Sequence, residues 1–546
     1  MIKQGILLAP SRIYSRRSMR LSLPLLALLA YSLGIVASLL QGDVHVTRDD
    51  GFYYFKIAQN IAGGAGSTFD GLHPTNGYHP LWLLCLVPLF WLTHAPDTAL
   101  RLGILLEGLL QAVGVGVLYR TARLTCGPFA ASFAALLWVW FSYPEALSGI
   151  EFSLHALAVL TVAYVYLRWF VHEPPDRPWP YLGLGLLLSL TFLARIDTLL
   201  LAVLFWLWLF RQEQRRGFAR GSLARLAALA LPVAITVLAY AGINIWLFGH
   251  PLPVSSLIKR DWSEQLLRSD PQYQAHGWLI AKAHASFWLV HEYREYYAVL
   301  LGSVGIGALF LAGERARDGS AWRDWHQRTL RPWGLFVVYS LLQLLSYLII
   351  YHGDLSLRPW YYVIQRWLAA LLLADVMEAL VNVRRQARQS RQAAAWRRGA
   401  LGAALALAWC LVPLKTLVNV KRQRELSSPA RELMYDAARW IRANLPPDAI
   451  LGSWNAGTIS YLSGRRVVNL DGLVNSWDYY QTGQYDLCRY CRQNGITYLV
   501  DTFIDRHALS VIPVYPRYAG CAAPLERVWS CGRAPIYARM EVYRIR

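Results

Sequence analysis

The sequence predicts a polytopic α-helical membrane protein of about eleven transmembrane helices with a C-terminal extracytoplasmic α/β domain. Three observations carry that expectation. Hydrophobic residues make up 55% of the 546 and charged residues only 16%, against ~45–50% and ~25% in soluble domains. Apolar runs recur as far as residue 418 and then stop. The net charge of +20 gathers in alternate connections, as in multi-span proteins that keep Lys and Arg on the cytoplasmic side.

Residues 21–40 form the first apolar run, behind Lys3, Arg12, Arg16, Arg17 and Arg20. Its length matches the ~20 residues that a helix needs to cross a bilayer. No small-residue cleavage site closes it, so it reads as an uncleaved span entered from a cytoplasmic N-terminus, residues 1–20. Further runs lie at 99–119, 128–143, 153–170, 181–193, 199–210, 226–248, 296–311, 333–351, 363–383 and 401–418. Alternating these spans places six segments inside, with twenty-five Lys and Arg against six Asp and Glu. That segregation accounts for the basic excess and removes nucleic acid as a partner. An alternative set makes 79–93 a span and fuses 181–210 into one. It would export Arg120, Arg123, Arg168 and Arg177, so 79–93 is read instead as a helix at the outer interface. The expected organisation is a transmembrane domain at 21–420, its first outer loop at 41–98, and an extracytoplasmic domain at 421–546. Such a chain belongs in the plasma (inner) membrane.

Beyond residue 418 helical and strand patterns alternate: helix at 428–445, strand at 449–454, helix at 456–462, strand at 466–470, helix at 485–493 and strand at 497–500. Cys488, Cys491, Cys521 and Cys531 all fall here, where an exported domain retains disulfides. Four cysteines allow three pairings, and a structural zinc or free thiols remain alternatives.

The unusual polar residues gather outside. The first outer loop carries Asp49-Asp50 ahead of Gly51-Phe52-Tyr53-Tyr54, then His73, Asn76 and His79. Capping of the following helix accounts for an acidic pair. The functional alternative is a carboxylate that takes a proton from a nucleophile or holds a divalent cation. Glu151, the Arg195–Asp197 turn, Lys259 and Arg358 fall in other outer connections, and Asp471 ends a strand of the terminal domain. Carboxylates plus several cations at a membrane boundary suit a phosphate carried on a lipid.

This arrangement resembles the GT-C superfamily of membrane glycosyltransferases. The matching features are the acidic pair opening a helix in the first outer loop, the Pro-led segment His79-Pro80-Leu81-Trp82 and the inside turn Tyr119–Arg123. Ser148-Gly149-Ile150-Glu151 and the segment Phe248–Lys259 look most like the arabinofuranosyltransferase branch, with protein O-mannosyltransferases also similar. The resemblance covers the membrane half well and the terminal domain weakly. It implies an inverting transfer of sugar from a polyprenyl-phosphate donor to an extracytoplasmic hydroxyl. The base would be Asp49 or Asp50, between which the sequence does not choose, in a position where several branches carry Asp-Glu. Arg195, Lys259 and Arg358 would meet the donor phosphate. His73, Asn76, His79, Glu151, Asp197 and Asp471 would contact substrate. A transporter or flippase for a lipid-linked or polar substrate is the competing class, and a non-catalytic receptor the third.

Overall fold

A computed structural model describes residues 47–142, 145–171, 174–269, 331–350, 359–387, 432–504, 525–532 and 538–546. The expected spans at 21–40, 296–311 and 401–418, together with Arg358 and Cys521, lie outside the described residues. The helices of the membrane half are α1 (Asp49–Ala62), α2 (Pro80–Leu92), α3 (Pro96–Ala122), α4 (Pro128–Ser142), α5 (Phe152–Trp169) and α6 (Trp179–Ala194). They continue as α7 (Leu199–Arg215), α8 (Ser222–Phe248), α9 (Val254–Ser269), α10 (Arg331–Ile350) and α11 (Val363–Ala387). Among the described residues, α3, α5 and α8 are long and apolar enough to cross a membrane, and α2, α4, α6 and α10 hold shorter apolar stretches. Their outer faces are greasy. Leu231, Ile235 and Leu238 of α8 are exposed, as are Leu341, Leu345 and Ile349 of α10, which is the surface a lipid solvent requires.

Proline and glycine punctuate the bundle. Proline opens α2 and α3 at the first turn, where its missing N–H costs nothing. Gly249, with φ of 78°, closes α8 in the left-handed conformation that side chains disfavour.

Two questions of connectivity are decided by contacts. The Asp176 carbonyl, just ahead of α6, accepts from Arg225 Nη1 at 2.9 Å, and its carboxylate lies 3.7 Å from Arg216 at the end of α7. The start of α6 and the end of α7 therefore share one end of the bundle, and residues 181–210 form a hairpin broken at the Ile196–Thr198 turn. At α2, His79 donates its backbone N–H to Tyr54 Oη, and the carbonyl of Pro96 receives the Tyr461 hydroxyl of the terminal domain at 2.6 Å. Both ends of α2 thus lie towards the terminal domain, so this helix runs along that end of the bundle.

The terminal domain is built on one five-stranded sheet, order β2-β1-β3-β5-β4. Its strands are β1 (Ile450–Ser453), β2 (Arg466–Asn469), β3 (Tyr498–Ile504), β4 (Leu525–Gly532) and β5 (Ala538–Ile545). β1 runs parallel to both β2 and β3, while β5 runs antiparallel to β3 and β4. Helix α12, residues 432–444, buries Leu433, Ala437, Ala438 and Ile441. Helix α13 (Ala456–Ser463) crosses from β1 to β2, and α14 (Leu487–Gln493) precedes β3. The C-terminal ends of β1 and β2 carry Trp454 and Asp471, and they meet α1. Tyr53 Oη lies 3.4 Å from the Trp454 carbonyl and 3.2 Å from Asp471 Oδ2.

Candidate active site

Helix α1 delivers the acidic pair. Its aromatic residues Phe52, Tyr53 and Phe55 are buried, with Phe52 5.5 Å from Tyr461 and Tyr53 5.3 Å from Phe69 between ring centroids. The N-cap position is Arg48, whose side chain caps nothing; Asp49 and Asp50 occupy the first turn. Successive helical residues diverge by about 100°, and here that separates the two carboxylates completely. Asp49 turns to the terminal domain, where its oxygens accept the amides of Gly457 (3.2 Å) and Thr458 (2.7 Å). Asp50 turns into a cavity of about 240 Å³, and its carboxylate takes part in no hydrogen bond or ion pair among the described residues.

The outer turns build the rest of that cavity. Glu151 precedes α5, Arg195 and Asp197 sit in the α6–α7 turn, Lys259 comes from α9, and Tyr361 from the short turn before α11. Arg195 donates to Glu151 Oε1 at 2.7 Å and holds both Asp197 oxygens at 3.2 Å. Tyr54 donates to Glu151 Oε2 at 2.9 Å, and Tyr347 donates to Asp197. Burial alone would raise both carboxyl groups; the Arg195 charge, joined by His79 at Glu151, holds them below the usual carboxylate range. Lys259 Nζ donates to Tyr361 Oη at 2.8 Å, and the Tyr361 ring lies 4.9 Å from the Arg195 guanidinium and 5.4 Å from the ammonium. Arg195 is charge-compensated by two carboxylates. Lys259 lines the same cavity, where the Tyr361 hydroxyl holds its ammonium.

His79 also lines the cavity. Burial pushes its imidazole down to about 4, so the ring is neutral at neutral pH. Its Nδ1 is buried without a hydrogen-bond partner, and Nε2 stands 3.6 Å from Glu151, beyond hydrogen-bond reach. A neutral imidazole offers one donor and one acceptor to a hydroxylated ligand.

Several candidates read from the sequence sit elsewhere. Asp49 is buried in a helix cap and absent from the cavity wall. His73 Nδ1 pairs with Asp70 at 2.5 Å, outside the cavity. Asn76 holds the loop to the α8–α9 turn, accepting from the Val254 amide at 2.9 Å and donating to the Leu252 carbonyl at 3.0 Å. Asp471 lies behind the wall, where it receives Tyr53 and the Leu473 amide, and burial pushes its carboxyl well above the usual range. Cys488 is disulfide-bonded, whereas Cys491 and Cys531 are free thiols. The expectation that all four cysteines pair is corrected to that extent: Cys491 is packed in the apolar cluster under β2, and burial raises its thiol to about 12. Among the described residues no group of three His, Cys, Asp or Glu is arranged to hold a metal. Among the cavity residues that the sequence did not single out, Tyr54, Tyr347 and Tyr361 orient the charges. Their only sequence signal is the clustering of Tyr and Trp in outer turns, which membrane-interface belts also produce.

The C-terminal residues 420–543 match a family described as a domain of unknown function, DUF8728. No curated protein matches the chain by sequence. Solved structures do match by fold. Archaeal oligosaccharyltransferase AglB from Archaeoglobus fulgidus, in complex with an inhibitory peptide and a dolichol-phosphate, aligns at TM-score 0.53 and 13% identity, over 87% of this chain and 69% of that one. Its apo form gives 0.54 over the same shares. ArnT from Cupriavidus metallidurans bound to undecaprenyl phosphate aligns at TM-score 0.54 and 15% identity, over 95% of this chain and 97% of that one. The chain shares its fold with these two membrane transferases.

Proposed function

We propose that this protein transfers a sugar from a polyprenyl-phosphate donor to a hydroxyl on an extracytoplasmic glycan, lipid or protein, with inversion, and that Asp50 is the base. The observation that carries the reading is the unpaired Asp50 carboxylate, which faces a small cavity shared with Lys259. The GT-C fold supports it, as do the dolichol-phosphate and undecaprenyl phosphate named with the two similar structures.

The chemistry follows from the residues. An acceptor hydroxyl placed against Asp50 gives up its proton as its oxygen attacks the anomeric carbon, and the sugar–phosphate C–O bond breaks behind it. The electron pair leaves with the polyprenyl phosphate, whose charge Lys259 offsets. Tyr361 fixes the ammonium, and Arg195 adds positive potential while keeping Glu151 and Asp197 in place. Neutral His79 and the hydroxyls of Ser255 and Ser256 line the same cavity and supply hydrogen bonds to sugar hydroxyls.

The test is transfer or donor hydrolysis by the purified protein with a panel of undecaprenyl-phosphate-linked pentoses and hexoses. Asp50→Asn should lower turnover by about 10²–10⁴, the usual worth of a general base. An Asp50→Asn variant that transfers at the wild-type rate removes the base from this residue.

A further inference from the structure

The two carboxylates of the pair are neighbours in sequence and have separate partners. Helix α13 begins at Asn455, which does not cap it. The Asn455 side chain donates instead to Asp501 Oδ1 at 3.3 Å. The amides at the second and third helical positions, Gly457 and Thr458, go to Asp49, which comes from α1 in the other half of the molecule. Asp49 thus fills the seat that an N-cap side chain normally takes, at the positive end of the helix. The approach is close. A Cβ on Gly457 would fall 2.2 Å from the Asp49 carbonyl oxygen.

The opposite flank of the same turn is gripped as well. Arg48 donates its amide to the Ser148 carbonyl at 2.9 Å, and a Cβ on Gly51 would lie 2.5 Å from that oxygen. Asp50 stands between these two gripped residues, with no hydrogen bond or ion pair of its own side chain among the described residues. Its place in the cavity is therefore set by the backbone of the turn. One helix turn is held between the Ser148–Gly149 turn of the bundle and the α13 cap of the terminal domain.

We infer that Asp49 is a positioning residue, and that the terminal domain of otherwise unassigned role is the brace that holds the base-bearing turn in register with the cavity. The inference rests on Asp50 being the base. It gives the acidic pair a division of labour, one carboxylate reacting and the other fastening.

The experiment compares Asp49→Ala, Asp49→Asn, Gly457→Ala, Asp50→Asn and Asp486→Ala in the full-length protein. Asp486 caps α14 by accepting the Arg489 amide at 2.9 Å, lies outside the cavity wall, and reports the effect of simply losing a cap. Amide hydrogen exchange, which needs no substrate, is read at Gly457 and Thr458 and at Gly51 and Phe52, whose amides bond to the Arg48 carbonyl. Turnover is read with an undecaprenyl-phosphate-linked sugar. Asp49→Ala should speed exchange at both places, and lower kcat tenfold or more with donor KM within twofold. Gly457→Ala should act in the same way, and the double variant should be no slower than Asp49→Ala alone, since both break one contact. Asp49→Asn should recover most of the protection and rate, because Asn caps about as well as Asp. Asp486→Ala should leave kcat and the α1 amides unchanged. Unchanged exchange at Gly51 and Phe52 in Asp49→Ala overturns the inference while leaving the base assignment standing. An Asp50→Asn variant with wild-type turnover overturns the base assignment and the inference with it. An Asp49→Asn variant as inactive as Asp50→Asn makes Asp49 itself the reacting group and overturns both.

Discussion

At the scale of single residues, the two cations in the cavity are asked to do different things. Arg195 is buried and bound on both sides by Glu151 and Asp197. Removing it strands the buried Glu151 carboxylate and unpairs the half-buried Asp197, a loss typically of about 3–5 kcal/mol for a buried pair. Lys259 donates to a phenol and lies over its aromatic face. Arg195→Ala is therefore expected to lower the thermal unfolding midpoint sharply. Lys259→Ala should weaken binding of undecaprenyl phosphate, measured by titration in detergent; equal lipid affinity in Lys259→Ala would take the phosphate away from this residue. His79 gives a pH signature. Its folded-state pKa of about 4 lies below the ordinary 6.5, so the unfolded chain binds more protons between those values and stability falls as pH drops through that window. Wild-type protein should lose more of its unfolding midpoint between pH 7 and pH 4.5 than His79→Gln does. Parallel curves would mean that the ring is not buried in its neutral form.

At the scale of elements, the close backbone approaches between the two halves are the weak points. A Cβ on Gly77 would sit 1.8 Å from the Leu473 carbonyl oxygen, whereas one on Gly183 of α6 meets nothing within 4 Å. Gly77→Ala should therefore loosen the terminal domain and expose it to limited proteolysis, and Gly183→Ala should leave the digestion pattern alone. Elements of this kind were only partly legible in the sequence. The break at Arg195–Asp197 and the separate helix at 80–92 could be read, because charge segregation and length leave few alternatives for apolar runs. The first strands and α13 could be read too, since their short apolar runs are bounded by Gly, Pro and Asn. The β5–β4 hairpin was not read: Leu525–Gly532 alternates around Arg527 and Trp529 with a bulge between them, and Ala538–Ile545 carries Arg539, Glu541 and Arg544, so neither looks like a buried strand. The choice between Asp49 and Asp50 was illegible for a different reason. It depends on Gly457 and Thr458, some four hundred residues away, and no local pattern marks an N-cap supplied by another element.

At the scale of the whole molecule, reactive groups and structural polar groups are segregated along the bundle. Several polar residues within the described helices serve helix contacts. Glu107 accepts the Gly149 amide at 3.0 Å, Gln111 meets Ser142, and Asp375 receives Thr125 and the Trp333 indole. Transporters instead gather such groups on broken helices near the midplane, while here the cavity lies at the end of the bundle beneath the terminal domain. At the opposite end Arg216 and Arg225 are tied together through Glu213 and Asp176. In the proposed reaction a lipid-borne phosphate would reach this cavity from the bilayer edge, and an acceptor from the aqueous side. The topology expected from the segregation of Arg makes that aqueous side the exterior, because translocation of arginine-rich turns is disfavoured. Reporter fusions after Arg123 and Arg220 should therefore report cytoplasm, and fusions within the loop near Asp70 and after Arg546 should report the exterior. A cytoplasmic signal at Asp70 would place Asp50 and Lys259 on the inner face, and the acceptor would then have to be a cytoplasmic one.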